Sequence, residues 1–323
     1  MSKVIGRSGA VGLGKESSRG TPVAATYWFP TDELMIEDRV KTIINETSVA
    51  RIEGSIDEEV VQVFSEFSFG GVLTSDNIGM ILLSLFGTDT PVVPGGETIV
   101  YEHTFTVAQS AQHQSLSVSY KDANSDVRIP NAVIGSLEIS ANALEWVKWK
   151  VEGMGLVSAG VSNTVAHVLK SPFHGKYCTM KKATLQSGLT GASATTIKAF
   201  NLKFNSNIIT EDVLGSNAPA DILNQAFTIE GSVTLYHTDN AFQTLQNAGT
   251  YQALRFSMQH PTTIGSAEKA ELMIDLHRVI VKNREVKRAN NDIMEESFDF
   301  TGLYFLTDSK MATVVLTNLI ASY

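Results

Sequence analysis

VVQVFSEFSF, residues 60–69, alternates apolar and polar side chains. Alternate residues of an extended chain point to opposite faces. Val61, Phe67 and Phe69 therefore share one face, whereas Glu66 and Ser68 share the other. This pattern predicts a β-strand with one buried face and one solvated face.

The same alternation recurs along the chain, with frequent Val, Ile, Thr, Phe and Tyr. It predicts a mainly β protein, because helical periodicity is scarce. The other predicted strands are 104–108, 115–120, 132–140, 144–153, 198–205, 226–237, 271–281, 296–305 and 312–318.

Two short helices interrupt the strands. SDNIGMILLSLFG (75–87) offers Ser75 or Asp76 as an N-cap, and its Gly87 stops the helix. NAFQTLQNAG (240–249) has the same form, with an asparagine near its start and a glycine after its end. PADILN (219–224) is ambiguous between helix and strand.

Each predicted helix follows a long strand and precedes further strand pairs, which suggests an internal duplication. Strands 132–140 and 144–153 would correspond to strands 271–281 and 296–305. Small residues cluster at 154–172, where we expect the boundary between the halves.

The bulk composition limits the classes of function. The chain has 323 residues, a length that favours two domains, and 43% of them are hydrophobic, which argues for a folded protein. Its net charge of −9 argues against tight general binding to nucleic acid. The longest apolar run, residues 80–86, is too short to span a bilayer, and no signal peptide is evident. We therefore expect folding in a cytoplasm. One cysteine, Cys178, excludes an intrachain disulfide.

The sequence offers no convincing catalytic motif. Gly9, Gly14 and Lys15 match most of a phosphate-binding loop, but Glu16 stands where Ser or Thr must hold magnesium. No strand precedes this stretch, so we interpret it as part of a flexible glycine-rich arm. The histidines lack ligand spacing, and DANSDV (122–127) lacks the glycine of a calcium loop and is interpreted as a hairpin turn. We expect no catalytic residue, metal or cofactor.

Acidic residues mark the polar faces of several strands. On each of these strands, the polar face carries no Lys or Arg beside the acid. The predicted strand LEWVKWKVEG (144–153) is an exception, because it contains Lys148 and Lys150. The pattern fits an ordinary solvated sheet or the wall of an acidic channel. The candidate channel-facing acids are Glu66, Glu138, Glu230, Asp275 and Asp299.

The order of the elements resembles that of the tail tube (major tail) proteins of tailed bacteriophages. GLGKESSRGTPVAATYWFP (12–30) is similar to the N-terminal arm of that family. The stretches that carry the rest of the resemblance follow in the family's order: Arg51, VFSEFSFGG (63–71), DNIGMILLSLFG (76–87), YEHTFTV (101–107), QSLSVSY (114–120), VIGSLEISANALEWVKWKVEGMG (133–155), NLKFNSNIITEDVLG (201–215), FTIEGSVTLYHTDNAFQTLQNAG (227–249) and VVLTN (314–318).

The resemblance implies two tandem β-sandwich or barrel modules, each with a short flanking helix. It implies an extended arm at 1–50, a first module at 51–160 and a second at 161–323. Such a protein would form rings that stack into a hollow tail tube, assembled in the host cytoplasm, through which DNA passes without specific binding. Its partners would be other copies of itself, a tape-measure protein and the tail-terminator and tail-tip proteins.

A duplicated chain would build a pseudo-sixfold ring from three copies, with a true hexamer as the alternative. The arm and the loop TDTPVVPGGET (88–98) are the expected contacts between stacked rings, because both are long and rich in Gly and Pro. Three other classes stay open: the tube of a related contractile injection system, a non-catalytic β-sandwich that binds carbohydrate, and an enzyme.

Overall fold

The computed structural model describes residues 5–167, 171–288 and 290–323. The protein is mainly β, as predicted, with two α-helices among the described residues. The helices are α1 (Ile78–Phe86) and α2 (Ala241–Ala248). The strands are β1 (Ala10–Lys15), β2 (Tyr27–Phe29), β3 (Glu33–Asn45), β4 (Asp57–Val72), β5 (Thr90–Val92), β6 (Tyr101–Phe105), β7 (Leu116–Lys121), β8 (Asp126–Asn142), β9 (Lys148–Gly155), β10 (Ala159–Gly160), β11 (Cys178–Ala183), β12 (Ala194–Thr195), β13 (Ala199–Asn205), β14 (Ile209–Glu211), β15 (Asp221–Leu223), β16 (Thr228–Tyr236), β17 (Gln252–Thr263), β18 (Lys269–Lys287), β19 (Glu295–Gly302) and β20 (Ala312–Asn318).

Every stretch predicted as a strand overlaps a strand of the structure, although 104–108 shares only residues 104 and 105 with β6. The predicted turn at 122–127 joins β7 to β8, where Lys121 lies opposite Asp126 and the amide of Asp122 donates to the carbonyl of Ser125 at 2.8 Å. The ambiguous segment at 219–224 contains β15 rather than a helix. Alternation therefore identified long strands with one buried face, but it missed β17 and most of the short strands, such as β2, β5 and β11.

Residues 10–15, expected to belong to a flexible arm, instead form the strand β1, which pairs with β2 on one edge and β7 on the other. Its glycines explain the close packing. A Cβ on Gly12 would lie 2.7 Å from the Trp28 ring, and one on Gly14 would lie 2.4 Å from the carbonyl oxygen of Ala24. Strand β3 also lies within the predicted arm and forms a long hairpin with β4. Residues 1–4 of that arm lie outside the described residues.

Both predicted helices form and both end at the predicted glycine. Gly87 has φ = +84° and Gly249 has φ = +59°, the left-handed conformation that glycine adopts at low cost. The first helix begins later than predicted, because Asn77 rather than Ser75 or Asp76 occupies its N-cap position.

The strand order repeats. In the first half the hydrogen-bonded order is β3–β4–β9–β8, and in the second half it is β13–β16–β19–β18. In both sets the second strand runs on towards a helix, α1 or α2. The two sets join edge to edge where residues 136–142 of β8 pair antiparallel with residues 199–205 of β13. The result is one continuous run of eight strands.

The apolar face of this eight-stranded run forms the core. A single cluster of buried side chains crosses both halves, including Phe67 and Leu137 from the first and Phe204 and Phe300 from the second. The other side of the core is formed by α1 and by strands such as β1, β7 and β17. The boundary expected at 154–172 includes residues 168–170, which lie outside the described residues.

Candidate functional site: the polar sheet face and its free edges

Two features of the described residues concern metal binding and nucleophilic chemistry. These residues contain no group of three His, Cys, Asp or Glu side chains that could hold a metal ion. Burial raises the pKa of the Cys178 thiol to about 12, so it stays protonated and is a poor nucleophile at neutral pH. In the same part of the chain, no helix is long and apolar enough to cross a membrane.

The polar face of the eight-stranded run brings together four of the five predicted acids. The strand registers place Glu66 on β4, Glu138 on β8, Glu230 on β16 and Asp299 on β19 with their side chains on this face. Glu230 and Asp299 are exposed, and the other two are partly covered. These acids therefore belong to one surface that extends across both halves of the chain.

Asp275 does not join that surface. Its side chain is 4% exposed and lies on the first part of β18, between β17 and β20. The Nε of Arg255 contacts its Oδ1 at 2.6 Å, and Gln186 donates to its Oδ2 at 2.8 Å. A buried carboxylate held this way is a structural ion pair.

A cation from a neighbouring strand accompanies each of the four acids. Lys203 of β13 lies directly opposite both Glu138 and Glu230. The register also places Lys150 opposite Glu138 and Lys282 opposite Asp299, while the Nε of Arg39 contacts Glu66 at 2.9 Å. Acids and cations are thus interleaved on the polar face, which is not uniformly acidic. Arg39 forms an ion pair with Glu66, and Lys150 contacts Glu33 and Glu152. Lys203 falls within a predicted strand, but its proximity to the acids depends on the register, which local alternation does not give.

A groove crosses this face at the join between the two halves. Its volume is 680 Å³, and its lining includes Glu66, Ser136, Glu152 and Lys203. Side chains of both charge signs therefore line it.

The eight-stranded run ends in two free edges. Within residues 5–167, 171–288 and 290–323, no strand pairs with the edge of β3 that faces away from β4. The same holds for residues 280–287 of β18 on the edge away from β19. Unpaired edges of this length are ready partners for another strand.

The two free edges carry opposite charge. Strand β3 has a net charge of −1, from Glu33, Glu37 and Asp38 against Arg39 and Lys41. Residues 280–287 of β18 have a net charge of +2, from Lys282, Arg284 and Lys287 against Glu285. Opposite charges across a strand pair favour pairing, and like charges oppose it.

The hairpin β3–β4 extends beyond the compact part of the chain. Its outer part exposes large apolar side chains, which are Val40, Ile43, Ile44, Ile52, Ile56 and Val60. The second half braces its base: the amide of Val63 donates to the carbonyl of Asn217 at 2.8 Å, and Gln62 donates to Thr210 at 2.9 Å. Several exposed large apolar side chains on a braced projection are typical of a protein contact.

The expected loop 88–98 contains the short strand β5, which pairs with β6, and its remaining part is anchored by Glu97. Its carboxylate accepts the amides of Ser266 and Ala267 at 2.8 Å and that of Glu268 at 3.3 Å. The first two of these hydrogen bonds are the main reason why the pKa of Glu97 lies below its usual value. The carboxylate thus ties the loop to the turn between β17 and β18.

Replacing Glu97 by Gln is expected to loosen this loop. The side-chain amide of the variant would place N–H donors where the carboxylate now accepts, leaving at least one backbone amide unpaired. We expect hydrogen exchange at residues 266–268 to accelerate about tenfold, measured by mass spectrometry. Glu59→Gln, at an exposed site, is the matched control and should leave that segment unchanged; equal exchange in both variants would contradict the anchor.

A buried ion pair joins the first strands to the second half. The Nε of Arg19 contacts both carboxylate oxygens of Asp221 at 3.0 Å, and its Nη2 contacts Oδ1 at 2.7 Å. Asp221 also accepts hydrogen bonds from Gln112 and Asn131, both at 2.9 Å. Burial alone would raise the pKa of Asp221, but hydrogen bonds led by that from Arg19 outweigh it and lower the pKa.

Acid is expected to destabilise the fold through Asp221. Because its folded pKa lies below its unfolded pKa of about 4, the carboxylate stabilises the protein above that value, and the stabilisation is lost as the pH falls through the folded pKa. Asp221→Asn should therefore flatten the fall in unfolding free energy between about pH 5 and pH 2, measured by urea titration. Asp292→Asn, at an exposed site, should keep the wild-type slope. Identical slopes in all three proteins would show that Asp221 contributes nothing.

One family model matches the chain. It is the phage tail tube protein family, and the match covers residues 6–302. No curated protein matches the chain. The matched range includes both strand sets, both helices and the join between β8 and β13. The chain therefore belongs to the phage tail tube protein family, whose members are structural components of the virion tail.

Proposed function

We propose that this protein is the non-catalytic building block of a hollow phage tail tube, in which three copies close into a pseudo-sixfold ring. The observation that carries the proposal is the join inside the chain. There β8, the last strand of the first set, pairs with β13, the first strand of the second set. The two strands of the run left without such a partner among the described residues are the first strand, β3, and the last, β18.

Repeating the internal join between chains closes the ring. The free part of β18 pairs with β3 of the next copy, as β8 pairs with β13 within one copy. This contact is heterologous, so it generates a ring if the rotation closes and a filament if it does not. Two similar strand sets per chain give six around a ring of three chains, and a ring of six chains is the alternative.

The polar face lines the central passage, since the apolar face is already buried in the core of each chain. Duplex DNA is a dense polyanion that a conduit must not hold. Interleaved charges suit this task, because each of these cations lies beside a carboxylate of a neighbouring strand and partly neutralises it. The wall presents neither a cluster of free cations to phosphate nor a strong uniform field.

Removing the acids around Lys203 is expected to create DNA binding. Glu138→Gln combined with Glu230→Gln leaves this lysine without its opposite acids, once in every copy. We expect the doubly substituted protein to bind a labelled duplex at low salt and to release it at about 200 mM salt, measured by fluorescence anisotropy. Adding Lys203→Gln is the control and should abolish the gain. If the double variant binds no more DNA than the wild type, charge pairing does not govern this face.

Rings stack through the projecting hairpin β3–β4 and the loop 88–98. The exposed apolar side chains of the hairpin gain a partner in the adjacent ring, and the anchored loop offers a fixed second contact. A tape-measure protein sets the length of the stack, and tail-terminator and tail-tip proteins bind its ends. Assembly takes place in the host cytoplasm.

Electron microscopy of the purified protein over a concentration series tests the proposal. We expect end-on views of rings with a central hole, and stacks at high concentration. The control removes the apolar hairpin surface by replacing Ile43, Ile44 and Ile52 with Ser, which should retain rings but lose stacks. Particles of monomer size at every concentration, with a tail-tip initiator present as well, would overturn the proposal.

A further inference from the structure

The free edge of β18 contains an irregularity at the place where a neighbouring copy would dock. Lys282 lies opposite Asp299 of β19, and the next paired residue, Glu285, lies opposite Ser297. Asn283 and Arg284 therefore face Phe298 alone, which is a β-bulge with one extra residue. Asn283 has φ = +46°, a left-handed conformation outside the extended range of a strand.

Side-chain hydrogen bonds on both faces of the strand stabilise this bulge. Arg284 turns inward, and its Nε donates to the carboxylate of Glu296, with the two side chains 7% and 2% exposed. His237 contacts the other oxygen of Glu296 at 2.8 Å. On the polar face, the side-chain amide of Asn283 donates a hydrogen bond from Nδ2 to the Oδ2 of Asp299 at 3.1 Å. The bulge is therefore a built feature and not a loose end of the strand.

The corresponding strand of the first half, β8, has its own irregularity at Gly135, between Ile134 and Ser136, but this lies outside the stretch that pairs with β13. Over residues 136–142, β8 pairs in regular register with β9 on one side and with β13 on the other. The stretch that would pair outward is thus regular in β8, where its partner is present in the chain, and interrupted in β18, where the edge is open.

We propose that the bulge at Asn283 and Arg284 is a gate on ring closure, which holds the docking edge of β18 out of register until a second copy of this chain pairs with it. An extra residue interrupts the row of outward N–H and C=O groups and twists the edge, which disfavours strand addition. Pairing with β3 of the neighbour requires the strand to straighten. The inference rests on the proposed function, since it concerns the edge that closes the ring.

The test removes the extra residue and compares critical concentrations for ring formation. Deleting Asn283 restores regular alternation and leaves Arg284 opposite Phe298 and Glu285 opposite Ser297. Asn283→Val disfavours the left-handed conformation, because a β-branched residue resists positive φ. Asn283→Gly is the matched control, because glycine adopts positive φ at no steric cost and keeps the bulge. Sedimentation and electron microscopy follow assembly, and circular dichroism checks the fold.

We expect the deletion to lower the critical concentration about tenfold or more and Asn283→Val to lower it less, with Asn283→Gly within about twofold of the wild type. Rings formed by the wild type at an equal or lower concentration than by the folded deletion variant would overturn the gate and leave the proposed function standing. If the deletion unfolds the chain, Asn283→Val decides: assembly no better than that of Asn283→Gly would also overturn the gate and leave the proposed function standing. Absence of rings from every variant at every concentration would overturn both.

Discussion

Replacing Arg19 by Ala is expected to lower the free energy of unfolding by about 3 kcal/mol, the lower end of the cost of breaking a buried ion pair. The substitution removes three close contacts with Asp221 and further hydrogen bonds to the carbonyls of His113 and Ile222. It leaves the carboxylate of Asp221, 11% exposed, without its cation. The lower end applies because Arg19 itself is 22% exposed.

Urea unfolding followed by tryptophan fluorescence measures this loss. Arg51→Ala is the matched control, because Arg51 is exposed in the loop between β3 and β4, and it should change the unfolding free energy by less than about 0.5 kcal/mol. Equal losses in the two variants would show that the ion pair does not join the first strands to the second half.

Proline in the middle of β3 is expected to abolish ring formation. Successive N–H groups of a strand point to opposite edges, so of Met35 and Ile36 one donates towards β4 and the other towards the free edge. Proline removes the N–H. The variant that lacks the inward donor loses a hydrogen bond of the hairpin and is destabilised. The variant that lacks the outward donor keeps nearly the same unfolding free energy in the unassembled chain.

Met35→Pro and Ile36→Pro are therefore compared in unfolding free energy and in assembly. The variant that keeps wild-type stability identifies the outward donor, and we expect that variant to form no rings. Val49→Pro, in the loop between β3 and β4, controls for proline itself and should assemble normally. Full assembly by the stable β3 variant would exclude this edge from ring closure.

The sequence predicted the strands whose two faces differ in environment. Strand β16 alternates buried Ile229, Val233 and Leu235 with more accessible polar residues, and this alternation was recognised. Strand β3 was not predicted, because most of its residues are exposed on both faces. Apolar and polar residues therefore need not alternate along it. Strand β17 carried a usable signal, since Leu254, Phe256 and Met258 alternate and are buried.

The polar face was predicted in part. Alternation identified the acids on their own strands, because that information is local. The cations opposite them, such as Lys203 between Glu138 and Glu230, depend on which strands are neighbours and in which register. The free edges could not be predicted for the same reason. A sequence pattern indicates that a strand exists, but whether its edge is paired depends on the arrangement of the whole sheet.

In the proposed ring, the join between β8 and β13 is repeated between chains. Cryo-electron microscopy of the assembled tube at side-chain resolution tests it most directly. We expect three chains per ring, about 105 kDa from a chain of 35.0 kDa. Residues 280–287 of β18 should pair antiparallel with β3 of the next copy, and Glu138, Glu230 and Asp299 should face the passage. A tube in which the edges of β3 and β18 stay unpaired, or in which the polar face lies on the outside, would contradict it.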